Sequence, residues 1–326
     1  MKVLVTGATG FVGSHILDTL HAQSIPAAYL IRPTSDRRFI GRHLATTETR
    51  TGSILEPASL AKALEGITHV IHCAGCTKAS RYAEYYDVNQ GGTRNLVEAV
   101  NRHCSSIRRL IHISSLAATG PATPQDPARE DSLARPVSDY GKSKLAAEGE
   151  VRNHCKVPFT VLRPPAVYGP RDTAFLPMYR SIKNHLLPKP GKYQPLSLVF
   201  AKDLAGAAVA CLEKQIAENR TYFVASRQVV SAANIAQEIF HQMKTWTIPY
   251  PLPPAILWVV CLAQELFSRL SGRPTLLNLQ KFAELRAPGW VCDPSLLEQE
   301  IGVKCATELK PGIAETLSWY RQARWV

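Results

Sequence analysis

The sequence predicts an α/β protein, a doubly wound parallel sheet with a smaller, discontinuous C-terminal lobe. Three observations lead there. Short apolar runs alternate with helix-period segments up to Arg163. A Gly-rich turn follows a clean strand at Met1–Gly7. The pattern then breaks, with prolines at 164, 165, 170, 177, 188, 190 and 195. Alternating strand and helix signals imply parallel strands joined by right-handed crossovers.

In order, the runs predict strands over Lys2–Thr6, Ala27–Ile31, Ala45–Arg50, His69–Cys73, Leu110–Ser114 and Phe159–Arg163. Helices are expected over Phe11–Ala22, Ala58–Leu64, Val88–His103 and Tyr140–His154. Val70-Ile71 and Leu110-Ile111 are continuous apolar pairs, as suits strands covered on both faces. Leu196–Phe200 followed by Asp203–Lys214 reads as a return to the sheet. The expected division is 1–165 with about 195–216 for the sheet domain, and 166–194 with 217–326 for a substrate lobe over the strand ends.

Composition removes several classes. At 326 residues, 45% hydrophobic and 20% charged, the chain can bury a core and is not disordered. A net charge of +12 suits an anionic ligand or surface. No nucleic-acid motif or stacking platform accompanies it, so no nucleic-acid partner is expected. Cys73 and Cys76 form a CxxC pair without a second pair or spaced histidines, so no metal is expected and the two read as reduced thiols. No room for a leader precedes the first strand, so a cytoplasmic protein is expected.

The segment Thr6-Gly7-Ala8-Thr9-Gly10-Phe11-Val12-Gly13 joins the first strand to the first helix. Gly7 suits a tight turn, Gly10 a close approach of backbone to a pyrophosphate, and Gly13 close helix–sheet packing. The helix N-terminus there favours an anion. This is the Rossmann arrangement, and it implies a nicotinamide dinucleotide. At the end of the second strand stands Arg32, followed by Thr34, Ser35, Arg37 and Arg38, with Asp36 among them. A guanidinium pairs with the 2′-phosphate of NADP, so NADP(H) is favoured over NAD(H).

Tyr140 and Lys144 stand at i and i+4 and so share a helix face. Hydride transfer to or from a secondary alcohol needs an acid or base for its proton. A phenol serves if a neighbouring cation stabilises its phenolate, and Lys144 is placed to do this. Ser114 and Ser115 end a predicted strand, where a hydroxyl can polarise a substrate carbonyl. Asn89 begins a predicted helix and is placed to hold a water or the lysine.

These motifs, in this order, resemble the extended short-chain dehydrogenase/reductase family, also called the NAD-dependent epimerase/dehydratase family. The resemblance covers about the first 200 residues. It rests on Thr6–Gly13, His72-Cys73-Ala74-Gly75, Asn89, Ser114-Ser115, the Tyr140–Lys144 pair and the Arg163–Pro170 run. It implies Ser115 as the catalytic serine, with Ser114 in reserve, Tyr140 as acid/base and Lys144 as its tuner. It also implies that Ala74 and Gly75 face the cofactor and that Pro164 to Val167 line the nicotinamide. Gly52-Ser53-Ile54 stands where the family often has Gly-Asp-Leu near the adenine. Phe200 stands where relatives often carry histidine.

Nucleotide-sugar members usually carry asparagine where this chain has Ala166, and a methyl group cannot hold a nucleotide diphosphate. The resemblance is therefore strongest to the 3β-hydroxysteroid dehydrogenase and dihydroflavonol reductase branch. It implies oxidation or reduction of a secondary alcohol or ketone on an apolar small molecule. The alternatives are a nucleotide-sugar epimerase or dehydratase, and a dinucleotide-sensing protein without turnover. The apolar run 255–263, about half of the ~20 residues a spanning helix needs, reads as a substrate lid, a core helix, or a helix giving weak membrane association through about 252–270. A homodimer through 88–103 and 140–154 is expected by analogy.

Overall fold

The computed structural model describes residues 1–103, 105–190, 194–275 and 277–326. Along the chain run β1 (Val3–Thr6), α1 (Phe11–Ala22), β2 (Ala27–Ile31), β3 (Glu48–Thr51), α2 (Pro57–Ala63) and β4 (His69–His72). A short turn α3 (Ala83–Tyr85) passes through a π-helical turn, Tyr86–Gly91, into α4 (Gly92–Arg102). Then come β5 (Arg109–Ile113), α5 (Asp139–His154), β6 (Phe159–Arg163), β7 (Ala166–Tyr168), α6 (Leu176–Lys183), β8 (Leu186–Pro190), β9 (Leu196–Phe200) and α7 (Ala201–Ala210). The remainder is β10 (Arg220–Phe223), β11 (Val229–Val230), α8 (Ala232–Met243), β12 (Ile248–Leu252), α9 (Pro254–Ser271), α10 (Leu279–Arg286), α11 (Ser295–Ile301) and α12 (Leu309–Gln322).

The large sheet has seven strands in the order β10-β6-β5-β4-β1-β2-β3, all parallel. The strand order reverses between β1 and β4, which is where ligands bind in such sheets. Side chains alternate as a strand requires. Val3 and Val5 join the core beneath α1, α7 and α11, whereas Leu4 joins the one beneath α2, α4 and α5. A three-stranded sheet, β11-β9-β7, and a two-stranded ribbon, β12-β8, make up the rest.

Two expectations change places. Leu196–Phe200 does not return to the large sheet but pairs with β7 and β11. The seventh place goes to Arg220–Phe223, within the span assigned to the lobe, paired with β6. The reason is visible in the residues: β9 is mostly apolar and buried from Ser197 to Phe200, so it imitates a central strand, while β10 is short and begins with an exposed arginine. The helix after β9 does pack as expected, its alanines lying against α1. The third strand also starts later than Ala45, because the amides of Thr46 and Thr47 bond back to the His43 carbonyl and prolong a turn.

Phe200 acquires a role. It is buried, meets the Tyr168 ring edge-on at 5.4 Å, and precedes α7. Asp203, one turn later, accepts hydrogen bonds from the Thr307 amide (2.9 Å) and hydroxyl (3.0 Å), tying α7 to the C-terminal segment.

Candidate active site

Because the seven strands are parallel, their C-terminal ends share one edge, and most of the residues named from sequence stand on it. Gly7 turns the chain with φ +71°, and a Cβ there would lie 2.6 Å from the Ala74 amide nitrogen. A Cβ on Gly13 would overlap the Gly7 carbonyl. The first turn of α1 carries no acidic residue, and its N-cap, Gly10, carries no side chain. Thr9, Phe11 and Val12 are only partly buried. This open helix end, with backbone donors and no competing carboxylate, fits a pyrophosphate. Gly13→Ala is expected to cost about 1–3 kcal/mol by overpacking, as read by urea unfolding.

The other expected cofactor residues divide. Arg32 is exposed at the end of β2 and has no ion pair among the described residues. Asp36 is taken by Arg38, whose amide (2.9 Å) and Nε (2.5 Å) both donate to it. Ser53 shapes the turn into α2: its amide donates to Ser59 Oγ (3.0 Å) and its hydroxyl accepts from the Leu55 amide (3.2 Å). Ile54 is turned into the core, and Asn95 occupies its carbonyl at 2.9 Å. The Ala74 amide donates to Thr6 Oγ1 (3.2 Å), and Gly75 is exposed beside Asn89 and Lys144. Pro164 is buried, its carbonyl accepting from the Leu116 amide at 2.8 Å, and Val167 is half-buried.

Helix α5 carries the residues expected to do the chemistry. Ser138 caps it by accepting from the Gly141 amide (3.2 Å), which starts the helix in register for Tyr140 and Lys144 to face the sheet edge. Lys144 is buried and its Nζ donates to the Ile113 carbonyl at 2.7 Å. Burial pulls its pKa down to about 8, opposed by the nearby Cys73 and Glu148. Burial pushes the Tyr140 hydroxyl up to about 12, and the hydrogen-bonding Ser115 hydroxyl works in the opposite direction. Desolvation outweighs the stabilising neighbours, so at neutral pH Tyr140 is a protonated phenol.

The structure separates the two serines. Ser114 points into the core, where its hydroxyl donates to Glu148 Oε1 at 2.5 Å. Glu148 in turn accepts from Arg163 Nε (2.9 Å) and Nη2 (2.7 Å) and pairs with Arg152 (2.8 Å). Ser115 stands beside Tyr140, its Oγ accepting from the Ala117 amide at 3.1 Å.

Asn89 does not reach Lys144. Its Oδ1 accepts from the Cys76 amide (2.7 Å), and its Nδ2 donates to the Cys76 carbonyl (3.0 Å) and Ser143 Oγ (2.9 Å). The side chain thus clamps the β4 exit to α5. The π-helical turn aims it there, and Thr93 Oγ1 takes up the Asn89 carbonyl at 2.5 Å. Sequence reasoning named His72 only as part of the strand end and did not single out Ser143 or Thr93; the bracing role of all three was missed. Burial drives His72 down to about 3, so its ring is neutral; it bridges Thr6 Oγ1 (2.8 Å) and Thr93 Oγ1 (2.9 Å). Since Thr93 donates to Asn89, His72 Nε2–H must donate to Thr93 and Nδ1 accept from Thr6. The signal was present only as a histidine in an apolar strand.

Cys73 and Cys76 are free thiols. Burial pushes Cys73 up to about 11 and raises Cys76 as well, which leaves little reactive thiolate. No metal-binding group is present among the described residues.

A family model described as NAD dependent epimerase/dehydratase matches residues 3–225, from β1 through β10. The chain belongs to that family. As a member, it is an enzyme of the extended short-chain dehydrogenase/reductase type. It is 30% identical to a ceramide reductase of Caulobacter vibrioides, over 99% of this chain and 96% of that protein. It is 26% identical to a UDP-glucose 4-epimerase of Vibrio cholerae, over 99% and 96%. A solved UDP-glucuronic acid 4-epimerase of Bacillus cereus, in complex with UDP-glucuronic acid and NAD, superposes with a TM-score of 0.80 at 22% identity, covering 99% of this chain and 100% of that one.

Proposed function

We propose that the protein reduces a ketone to a secondary alcohol, or runs the reverse, on an apolar small molecule with a nicotinamide dinucleotide. The observation that carries this is the Tyr140 hydroxyl beside Ser115, one helical turn from buried Lys144, at the strand ends. The Gly7–Gly13 turn and the end of α1 would hold the pyrophosphate, and Lys144 the nicotinamide ribose. When bound, the dinucleotide supplies or accepts the hydride. Ser115 donates a hydrogen bond to the substrate carbonyl, and Tyr140 gives its proton to the same oxygen as the carbonyl carbon is reduced. A protonated phenol is the form that reduction uses. Asn89 positions α5 rather than touching substrate.

The apolar substrate is supported by Ala166, exposed on β7 where a sugar-nucleotide enzyme needs a polar side chain, and by the full-length similarity to a ceramide reductase. A substrate of that kind resides in a bilayer, and we assign residues 252–270 to weak contact with one. The second reading, a nucleotide-sugar epimerase, is favoured by the similarity to the Vibrio enzyme. Stoichiometric loss of reduced nicotinamide with an apolar ketone supports reduction. Epimerisation of a UDP-sugar without net loss overturns it.

NADP(H) is the proposed cofactor, because Arg32 has no ion pair among the described residues and Arg38 neutralises Asp36. Arg32→Ala is expected to weaken NADPH binding by roughly tenfold or more, by removing a charge-assisted hydrogen bond, and to leave NADH nearly unchanged. Fluorescence titration of both nucleotides reads the ratio. Because kcat/KM reports free-enzyme ionisations, its alkaline limb for reduction is expected near the Lys144 value of about 8, with activity lost as pH rises through it. A limb set by Tyr140 would lie far higher. A homodimer through α4 and α5 is proposed on the family resemblance, and light scattering giving twice 35.9 kDa checks it.

A further inference from the structure

Helix α9 is inside out. Its apolar residues Ile256, Val259, Leu266, Phe267 and Leu270 recur at helical spacing on one stripe, and that stripe faces outward. Leu270 is 90% exposed, Phe267 59% and Val259 57%. The inward stripe is the polar one: Glu265 and Ser268 are 6% and 4% exposed. Glu265 accepts from Arg269 (2.5 Å) and from the Leu279 amide (3.0 Å). With Tyr82 and Asn278 it lines a cavity of about 230 Å³. A surface helix in water puts its apolar stripe inward, and an uncovered stripe of this size marks an interaction surface. The helix is not a membrane span, since no helix among the described residues is long and apolar enough to cross one.

The ribbon that leads into α9 carries exposed apolar residues of its own. β12 leads into α9 through Pro253 and pairs with β8, and Leu186, Trp246 and Ile248 are exposed there. Charge identifies the occupant. Lys183, Lys189 and Lys244 border this ribbon, Arg273 follows α9, and Arg286 ends α10, which packs on α9. All five are exposed and have no ion pair among the described residues. Exposed apolar residues on α9 and the ribbon, together with cations that have no ion pair among the described residues, are complementary to an anionic bilayer surface of acyl chains and negative headgroups.

We propose that α9 and the β8–β12 ribbon dock on an anionic lipid bilayer, with Ile256, Val259, Phe267 and Leu270 entering the acyl boundary and Lys183, Lys189 and Lys244 pairing with headgroups. The docking surface adjoins the catalytic helix. α10, packed on α9, holds Asp139 next to Tyr140: Gln280 Nε2 donates to Asp139 Oδ2 (2.5 Å) and the Asp139 amide donates to Gln280 Oε1 (2.7 Å). The purpose of docking, delivery of a lipid to Tyr140, rests on the reduction of an apolar ketone. The docking itself is measured without substrate or nicotinamide, so either reading can fail alone.

The test is flotation of the full chain with vesicles of phosphatidylcholine alone and of phosphatidylcholine mixed with phosphatidylglycerol. The protein is expected to float with the mixed vesicles, less so in high salt, and not with the neutral ones. Phe267→Ser/Leu270→Ser is expected to lower partitioning roughly tenfold or more. Lys183→Glu/Lys189→Glu/Lys244→Glu is expected to abolish the preference for anionic lipid. All five positions are exposed, so melting temperatures stay near wild type. If the serine pair melts early, Ile256→Ser/Val259→Ser replaces it. No flotation of wild type with anionic vesicles, or serine variants that float as wild type does, overturns the proposal. So does a wild-type dimer that the serine variants split with vesicle binding unchanged, since the stripe would then cover a second copy of this chain.

Discussion

Tyr140→Phe is expected to lower kcat/KM for ketone reduction by roughly two to four orders of magnitude, with melting temperature and dinucleotide affinity close to wild type. The ring is held independently of its hydroxyl, edge-on to Tyr85 with centroids 5.9 Å apart, and α5 is anchored by Ser138, Ser143 and Lys144. What the substitution removes is the proton donor of the proposed reaction. Burial keeps that phenol protonated, with its pKa up to about 12, so phenylalanine leaves the carbonyl oxygen with Ser115 alone. Steady-state kinetics with a nicotinamide titration alongside separates the two effects. A variant that turns over like wild type would remove the phenol from the chemistry.

Glu148→Leu is expected to destabilise the fold by about 3–5 kcal/mol, the usual result of stripping one partner from a buried ion pair. Glu148 is fully buried between α5 and β6 and accepts from Arg163 Nε and Nη2 and from Ser114 while pairing with Arg152. Burial raises its pKa, but the hydrogen bonds and charge of Arg163, with Arg152 and Ser114, bring it below the ordinary value. A carboxylate depressed in the folded state contributes stability above its unfolded pKa of ~4.3, and that contribution is lost as pH falls through the folded value. Urea midpoints should therefore fall on acidification more in wild type than in Glu148→Leu. Adding Arg163→Met should recover much of the loss, because two apolar side chains replace the uncompensated charge. No recovery would mean that the arginine is held by something other than the carboxylate.

The sheet was legible because its central strands are apolar on both faces and its crossovers are helix-periodic. The strand ends carrying Gly7 and Ser115 followed from that register, and Lys144 from the helix α5 that packs beside them. The strand that closes the sheet was not legible: four residues starting at Arg220 carry less signal than the better-packed Leu196–Phe200. The site was legible as a set of residue types but not as contacts. Ser114 and Ser115 differ only in which face of the chain they leave, and that is settled by a glutamate eight residues beyond Tyr140. Asn89 was recognisable, but its partners depend on an extra residue in a π-helical turn, which no spacing rule announces. The apolar run of α9 was visible as hydrophobicity. Its outward orientation was not, because a periodicity shows that a stripe exists and leaves its facing direction open.

In the proposed reaction Tyr140 delivers a proton as a hydride passes permanently from nicotinamide to an apolar ketone. The most direct measurement follows deuterium from the transferable position of reduced NADP, offered in turn with long-chain lipid, sterol and flavonoid ketones and with UDP-glucose. One deuterium per turnover is expected on the carbinol carbon of an apolar alcohol, and none moved with UDP-glucose. Epimerised UDP-sugar with the deuterium still on the nicotinamide, and no apolar ketone reduced, would contradict it.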